Sequence, residues 1–217
     1  GTHGKTTTTS MLTVALQHAG VNPSFAIGGS INRSGFNGYQ GTGDIFVAEA
    51  DESDGSFTTY KPYGAIITNI ELDHVDHFPT LADVDQIFDD FVNSISEGGF
   101  LIINLDSPGV EELLRRVNRE DIRIFTYGEN GEYCLKNVYL GVSNSTARLY
   151  HKGVLIGELS LRIAGEHNLE NALAALIAGI ELGIEPRTLI EGLETFTGAR
   201  RRFERCGEIN GVEVIDD

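Results

Sequence analysis

Gly4, Lys5 and Thr6 have the residue types and order of the G-K-[ST] end of a phosphate-binding loop. In such a loop, backbone N–H groups and the N-terminus of the next helix cradle phosphate oxygens. The lysine reaches the outer phosphates, and the hydroxyl at the Thr6 position ligates Mg2+. The same residues also fit a glycine turn with a chance Lys-Thr, but the pattern that follows favours the loop. Met11, Leu12, Ala15, Leu16 and Ala19 recur at helical spacing, and Gly20 offers a C-terminal cap. The first glycine of the full motif would lie two positions before Gly1, so the sequence is expected to be an excerpt opening inside the motif.

Two apolar, strand-like runs lead to residues able to hold a cation. "DIFVAEA" contains Glu49, and "YGAIITNI" runs into Asp73, His74, Asp76 and His77, with His74 placed 25 residues after Glu49. At the carboxyl ends of parallel strands such residues converge on one crevice, so Glu49 and His74 are expected to reach a triphosphate held by the loop. Mg2+ takes oxygen ligands and keeps several waters, so few protein ligands are needed. Alone, "EADESD" also reads as a solvated acidic loop, and "DHVDH" offers donors suited to a zinc or dinuclear site. Further along, Asn168 and Asn171 lie three apart at a helix start, and a carboxamide complements the donor and acceptor edge of adenine. Asn168 equally suits a helix cap. Arg200, Arg201 and Arg202 stand together in an acidic chain, and a guanidinium fork matches phosphate oxygens.

These residues need a scaffold that brings loop ends together. "SFAIGG", "DIFVAEA", "YGAIITNI", "FLIINLD" and "IRIFTYG" read as strands, the second and third as buried ones, and "INRSGFNGYQGTG" as a glycine-rich loop. Helical stripes fall on Val84, Ile87, Phe88, Phe91 and Ile95, on "PGVEELLRRVN", on Leu169, Leu173, Leu176, Ile177 and Ile180, and on "EPRTLIEGLETF". The alternation predicts an α/β fold: a mostly parallel sheet flanked by helices, with a small antiparallel appendage across residues 132–163. "GVEVIDD" reads as one more strand.

Taken in order, "GTHGKTTTT", "EADESDGSF", "TNIELDHVD", "GEHNLENALAA", "RRRFE" and "VIDD" resemble the Mur ligase family along nearly the whole chain. The resemblance implies that residues 1 to about 205 form the family's central ATPase domain and that 206–217 begin a Rossmann-like C-terminal domain. It implies ATP bound by Gly1, Thr2, His3, Gly4, Lys5, Thr6 and Thr7, with Asn171 and Asn168 at adenine, Arg202 on phosphate and Asp217 on ribose. Thr6, Glu49 and His74 would hold Mg2+, and Lys5, Glu49, His74 and Arg202 would carry the chemistry. The reaction implied is ATP-driven joining of L-alanine to the lactyl carboxylate of UDP-N-acetylmuramate through an acyl phosphate. Some relatives place a carbamoylated lysine after the metal histidine; no Lys lies between Lys61 and Lys136 here, which favours the alanine-adding branch, as does His3 within the loop. Alternatives are a ligase that attaches an intact peptide to the same sugar nucleotide, a P-loop ATPase without ligase activity, and a purely structural interaction domain.

Composition narrows the field. The 217 residues carry 32 acids against 16 Lys and Arg, a formal charge of −16 that repels a nucleic-acid backbone. No apolar run approaches the roughly 20 residues of a membrane span, and nothing resembles a signal peptide, so a cytoplasmic location is expected. Cys134 and Cys206 form no C-x-x-C and read as reduced structural thiols.

Overall fold

The computed structural model describes residues 1–29, 37–51, 56–71, 80–198, 204–209 and 212–216. In chain order, helix α1 (Lys5–His18) is followed by strands β1 (Ser24–Ala26), β2 (Gly38–Tyr39) and β3 (Phe46–Ala48), a short 3-10 turn at Ser56–Thr59, and β4 (Gly64–Ile67). Next come α2 (Leu81–Ser94), β5 (Phe100–Asn104), α3 (Pro108–Arg116), β6 (Arg123–Tyr127), and the longer strands β7 (Tyr133–Leu140), β8 (Ser145–His151) and β9 (Val154–Leu161). Helices α4 (Glu166–Glu181) and α5 (Pro186–Leu193) precede the strands β10 (Glu204–Ile209) and β11 (Val212–Asp216).

Strand β5 explains the layering. All five of its residues are buried, and they alternate between two cores: Leu101 and Ile103 on one side, Phe100 and Ile102 on the other. A parallel strand covered on both faces needs that continuous apolar run. Val84, Phe88 and Phe91 of α2, with Val110 and Leu113 of α3, fill the first core. Met11 and Leu16 of α1, Leu169, Leu173 and Leu176 of α4, and Leu189 and Leu193 of α5 fill the second. Burying a leucine side chain contributes about 1.5–3 kcal/mol, so these stripes fix which face each helix presents. Helix α2 starts at a reciprocal Thr80/Asp83 capping box, and prolines open α3 and α5.

The main sheet has the order β4-β5-β6-β7-β8-β9. Strands β4 to β7 are parallel neighbours, and β7–β8–β9 form antiparallel hairpins. The appendage expected at 132–163 is therefore continuous with the sheet, joined where Tyr127 pairs with Tyr133. A second sheet, β2-β1-β3, pairs β1 with β3 in parallel and β2 with β1 antiparallel. The stretch read as a glycine-rich loop thus contributes the short strand β2. The expectation of fully buried strands is corrected in part. Val47 is buried, but its neighbour Phe46 is 64% exposed because the pleat sends it to the opposite face, and Tyr63, just before β4, is 51% exposed. Strands β10 and β11 form a separate antiparallel pair, and the domain boundary expected near residue 205 falls within β10. Among the described residues no helix is long and apolar enough to cross a membrane.

Candidate functional site

The loop ahead of α1 is locked onto the residues that follow β4. The Thr2 N–H donates to the Asn69 carbonyl at 3.2 Å, continuing the strand direction past Ile67. The Asn69 carboxamide takes hold of both polar backbone groups of His3: its Oδ1 accepts from the His3 N–H at 2.8 Å and its Nδ2 donates to the His3 carbonyl at 3.1 Å. Thr68 Oγ1 donates to the same carbonyl at 2.6 Å. Thr2 Oγ1 accepts from the Glu71 N–H at 3.1 Å and donates to the Glu71 carbonyl at 3.4 Å. These bonds fix the loop apex against the residues that follow β4.

Gly4 makes the turn from loop to helix. Its φ of 80° is left-handed, and a Cβ there would stand 2.6 Å from Asn171 Oδ1, so conformation and space both demand glycine. The first turn of α1, with Lys5, Thr6 and the half-buried Thr7, presents the N–H groups that a helix leaves without intrahelical partners. Lys5 folds back over the loop: its Nζ donates to the Thr2 carbonyl at 3.3 Å and stands 3.8 Å from Asp51.

The parallel pairing of β1 with β3, Ala26 opposite Ala48, brings the next residues of each strand to the same rim. Glu49 emerges there. Its Oε1 accepts from Thr6 Oγ1 at 2.9 Å and its Oε2 from the Gly28 N–H at 2.6 Å. Asn171, buried on α4, accepts from Thr8 Oγ1 at 3.1 Å and so ties α4 to α1 beneath the loop. Asn168 is not the cap of α4. Gly165 occupies that position, and Asn168 Nδ2 donates to the Ala164 carbonyl at 2.7 Å.

A second acidic corner was not foreseen. Asp106, just past β5, accepts two bonds from the Glu129 N–H, both at 2.9 Å, and faces Glu170 on α4. Burial, then the charges of Asp106 and Glu166, raise the pKa of Glu170 above the ordinary carboxylate value. Tyr127, 1% exposed in the same corner, has its phenol pKa raised chiefly by burial.

A loop of this shape beside a carboxylate and a hydroxyl can hold a metal-chelated polyphosphate. Residues 1–179 match the Mur ligase middle domain. The chain belongs to the Mur ligase family. It is 46% identical over 219 residues to the UDP-N-acetylmuramate--L-alanine ligase of Acidothermus cellulolyticus, covering all of this chain and 46% of that protein. The crystal structure of UDP-N-acetylmuramate-alanine ligase from Thermotoga maritima superposes with a TM-score of 0.84 at 28% identity, over 100% of this chain and 49% of that one. That of a UDP-N-acetylmuramate:L-alanyl-gamma-D-glutamyl-meso-diaminopimelate ligase from Neisseria meningitides gives 0.82 at 28% identity, over 93% of this chain and 65% of that one. The chain spans about half the length of the curated relatives it matches.

Within this Mur ligase chain, the geometry assembles Gly1 to Thr7, Glu49 and Asn171 around one loop. His74, Arg202 and Asp217, with Asp73, Asp76 and His77, lie outside the described residues. Among the described residues no group of three or more His, Cys, Asp or Glu side chains is placed to hold a metal. The Thr6 hydroxyl and Glu49 carboxylate nonetheless fit Mg2+, because both offer hard oxygen donors at one point and the ion needs few protein ligands. Sequence reasoning missed Thr68, Asn69 and Gly28. The signal for the first two was a Thr-Asn pair ending an apolar strand, and for the third a glycine pair ending another.

Proposed function

We propose that this chain is the ATP-binding part of a UDP-N-acetylmuramate–L-alanine ligase of peptidoglycan precursor synthesis. Residues 1 to about 205 would be its central domain, and the remainder the start of its C-terminal domain. The observation that carries the reading is the contact between Thr6 and Glu49 at 2.9 Å on the rim of the loop. Thr6 and Glu49, with His74, would hold Mg2+, which supplies charge neutralisation on the phosphate oxygens. The loop N–H groups and the Lys5 ammonium orient the triphosphate and stabilise charge on the moving phosphoryl group. A lactyl carboxylate oxygen attacks the terminal phosphorus while its bond to ADP breaks. The amine of L-alanine then attacks the acyl carbon, loses a proton and expels phosphate, leaving the amide. No protein nucleophile is needed, and Arg202 would complete the phosphate contacts. Asn171 and Asn168 would face adenine and Asp217 the ribose. ATP and the sugar nucleotide go with a cytoplasmic location.

The test is phosphate release by the full-length protein supplied with ATP, UDP-N-acetylmuramate and L-alanine. Release that requires all three is expected; release independent of both acceptors makes the chain a P-loop ATPase and overturns the reading. A peptide-attaching ligase is the second reading, supported by the Neisseria structure at the same 28% identity. Turnover with L-Ala-D-Glu-diaminopimelate in place of L-alanine would establish it.

A further inference from the structure

We infer that Gly28 is a positioning residue for the metal-binding carboxylate of Glu49. The inference rests on the proposed Mg2+·ATP site and extends it to a residue with no side chain. The two oxygens of Glu49 are held differently. Oε2 accepts from a backbone N–H, that of Gly28, at 2.6 Å, whereas Oε1 accepts from the Thr6 hydroxyl at 2.9 Å. The N–H lies two residues past the β1–β3 pairing, which closes with the bond from the Glu49 N–H to the Ala26 carbonyl at 2.9 Å. The hydroxyl rotates about one bond and can turn its hydrogen away. Anchoring one oxygen leaves the other presented in a fixed direction, with Thr6 Oγ1 beside it, as a one-point ligand for a hard cation.

Space explains why the residue is glycine. A Cβ at position 28 would lie 3.1 Å from both carboxylate oxygens of Glu49 and 3.3 Å from its Cδ. Gly28 does not have a positive φ, so alanine is conformationally allowed there. Its methyl group would press on Glu49 and shift the carboxylate by a few tenths of an ångström, bending the bond from the Gly28 N–H.

The experiment is a titration of Mn2+, followed by electron paramagnetic resonance, into the full-length protein and its Gly28→Ala variant in the presence of ADP. Metal-free ADP binding in EDTA and the melting temperature serve as structural controls. Gly28→Ala is expected to weaken Mn2+ binding by about tenfold or more, the usual consequence of losing an outer-shell partner. Metal-free ADP affinity should stay within about twofold if only the carboxylate has moved. Equal Mn2+ affinity in wild type and Gly28→Ala overturns the positioning role alone. A loss of metal-free ADP binding and of Tm does the same by making Gly28 a structural residue. No nucleotide-dependent Mn2+ binding by the wild type removes the metal site itself, and the inference with it.

Discussion

Glu49 and Glu170 meet opposite surroundings. Glu49 follows β3 and receives two donors, a hydroxyl and a backbone N–H. Glu170, on the second turn of α4, is partly buried beside two further acids, Asp106 and Glu166, which with burial raise its pKa. Donors aimed at a carboxylate stabilise its charge; burial and like charges oppose it. The difference separates an acid held by two hydrogen-bond donors from one crowded by like charges. Substitutions that neutralise each should therefore act on different properties.

Glu49→Gln should have the largest effect. A carboxamide keeps one acceptor oxygen but turns an NH2 group toward one of the two donors, and it carries no charge for a cation. Ligase turnover of the full-length protein is expected to fall by at least about a hundredfold, the upper end of what outer-shell losses cause. Stability should fall by only about 1 kcal/mol. Turnover within a few-fold of wild type would make Glu49 another acid without function and erase the contrast. Thr6→Val comes next. It keeps the shape but removes the hydroxyl that bonds Glu49 at 2.9 Å. A loss of about tenfold to a hundredfold is expected, with the larger part in the Mg2+ requirement. An unchanged Mg2+ dependence would count against a shared cation between the two residues.

How far the sequence discloses this site depends on whether a feature is local. The apolar alternation of "FLIIN" and the helical stripe of Leu169, Leu173 and Leu176 show where β5 and α4 lie, because burial on fixed faces leaves a periodic trace. Gly4, Lys5 and Thr6 are readable because the loop and helix N-terminus are one continuous segment. The Asn69 clamp on His3 spans 66 residues, and the Gly28 bond to Glu49 spans 21. Neither residue type announces its partner, since an asparagine after a strand and a paired glycine suit many turns. Strand β2, two residues long, leaves no period to detect. Glu170 looked like one more polar residue of a helix start. Only the packing of α4 beside the end of β5 reveals that it meets Asp106.

Asp106→Asn sharpens the contrast from the other side. Both Asp106 oxygens accept from the exposed Glu129 N–H, so part of that interaction is lost with the charge, at about 1 kcal/mol. Removal of the charge also relieves Glu170. The net change in melting temperature should therefore be smaller than for Asp106→Ala, which loses the acceptor altogether. Differential scanning fluorimetry on the two variants isolates the acceptor's share, and an equal loss in both would mean that the remaining oxygen contributes nothing.

Glu170→Gln should have the smallest effect and the opposite sign. The folded-state pKa of Glu170 lies above its ordinary value of 4.5, so between the two values the folded protein binds more protons than the unfolded chain. Stability contributed by this group is therefore greatest at low pH, declines as pH rises through that window, and is a net penalty above it. Glutamine removes the penalty. The variant should melt at nearly the wild-type temperature at about pH 4 and roughly 1–3 °C higher once the pH has risen past that window. The carboxylate is only partly buried, and screening by water keeps the gain small. Turnover at saturating substrates should be unchanged, because the charges that act on Glu170 are those of Asp106 and Glu166. A melting temperature lowered at about pH 8 would show that the charge of Glu170 is a stabilising one, met by a partner, and that it belongs with Glu49 after all.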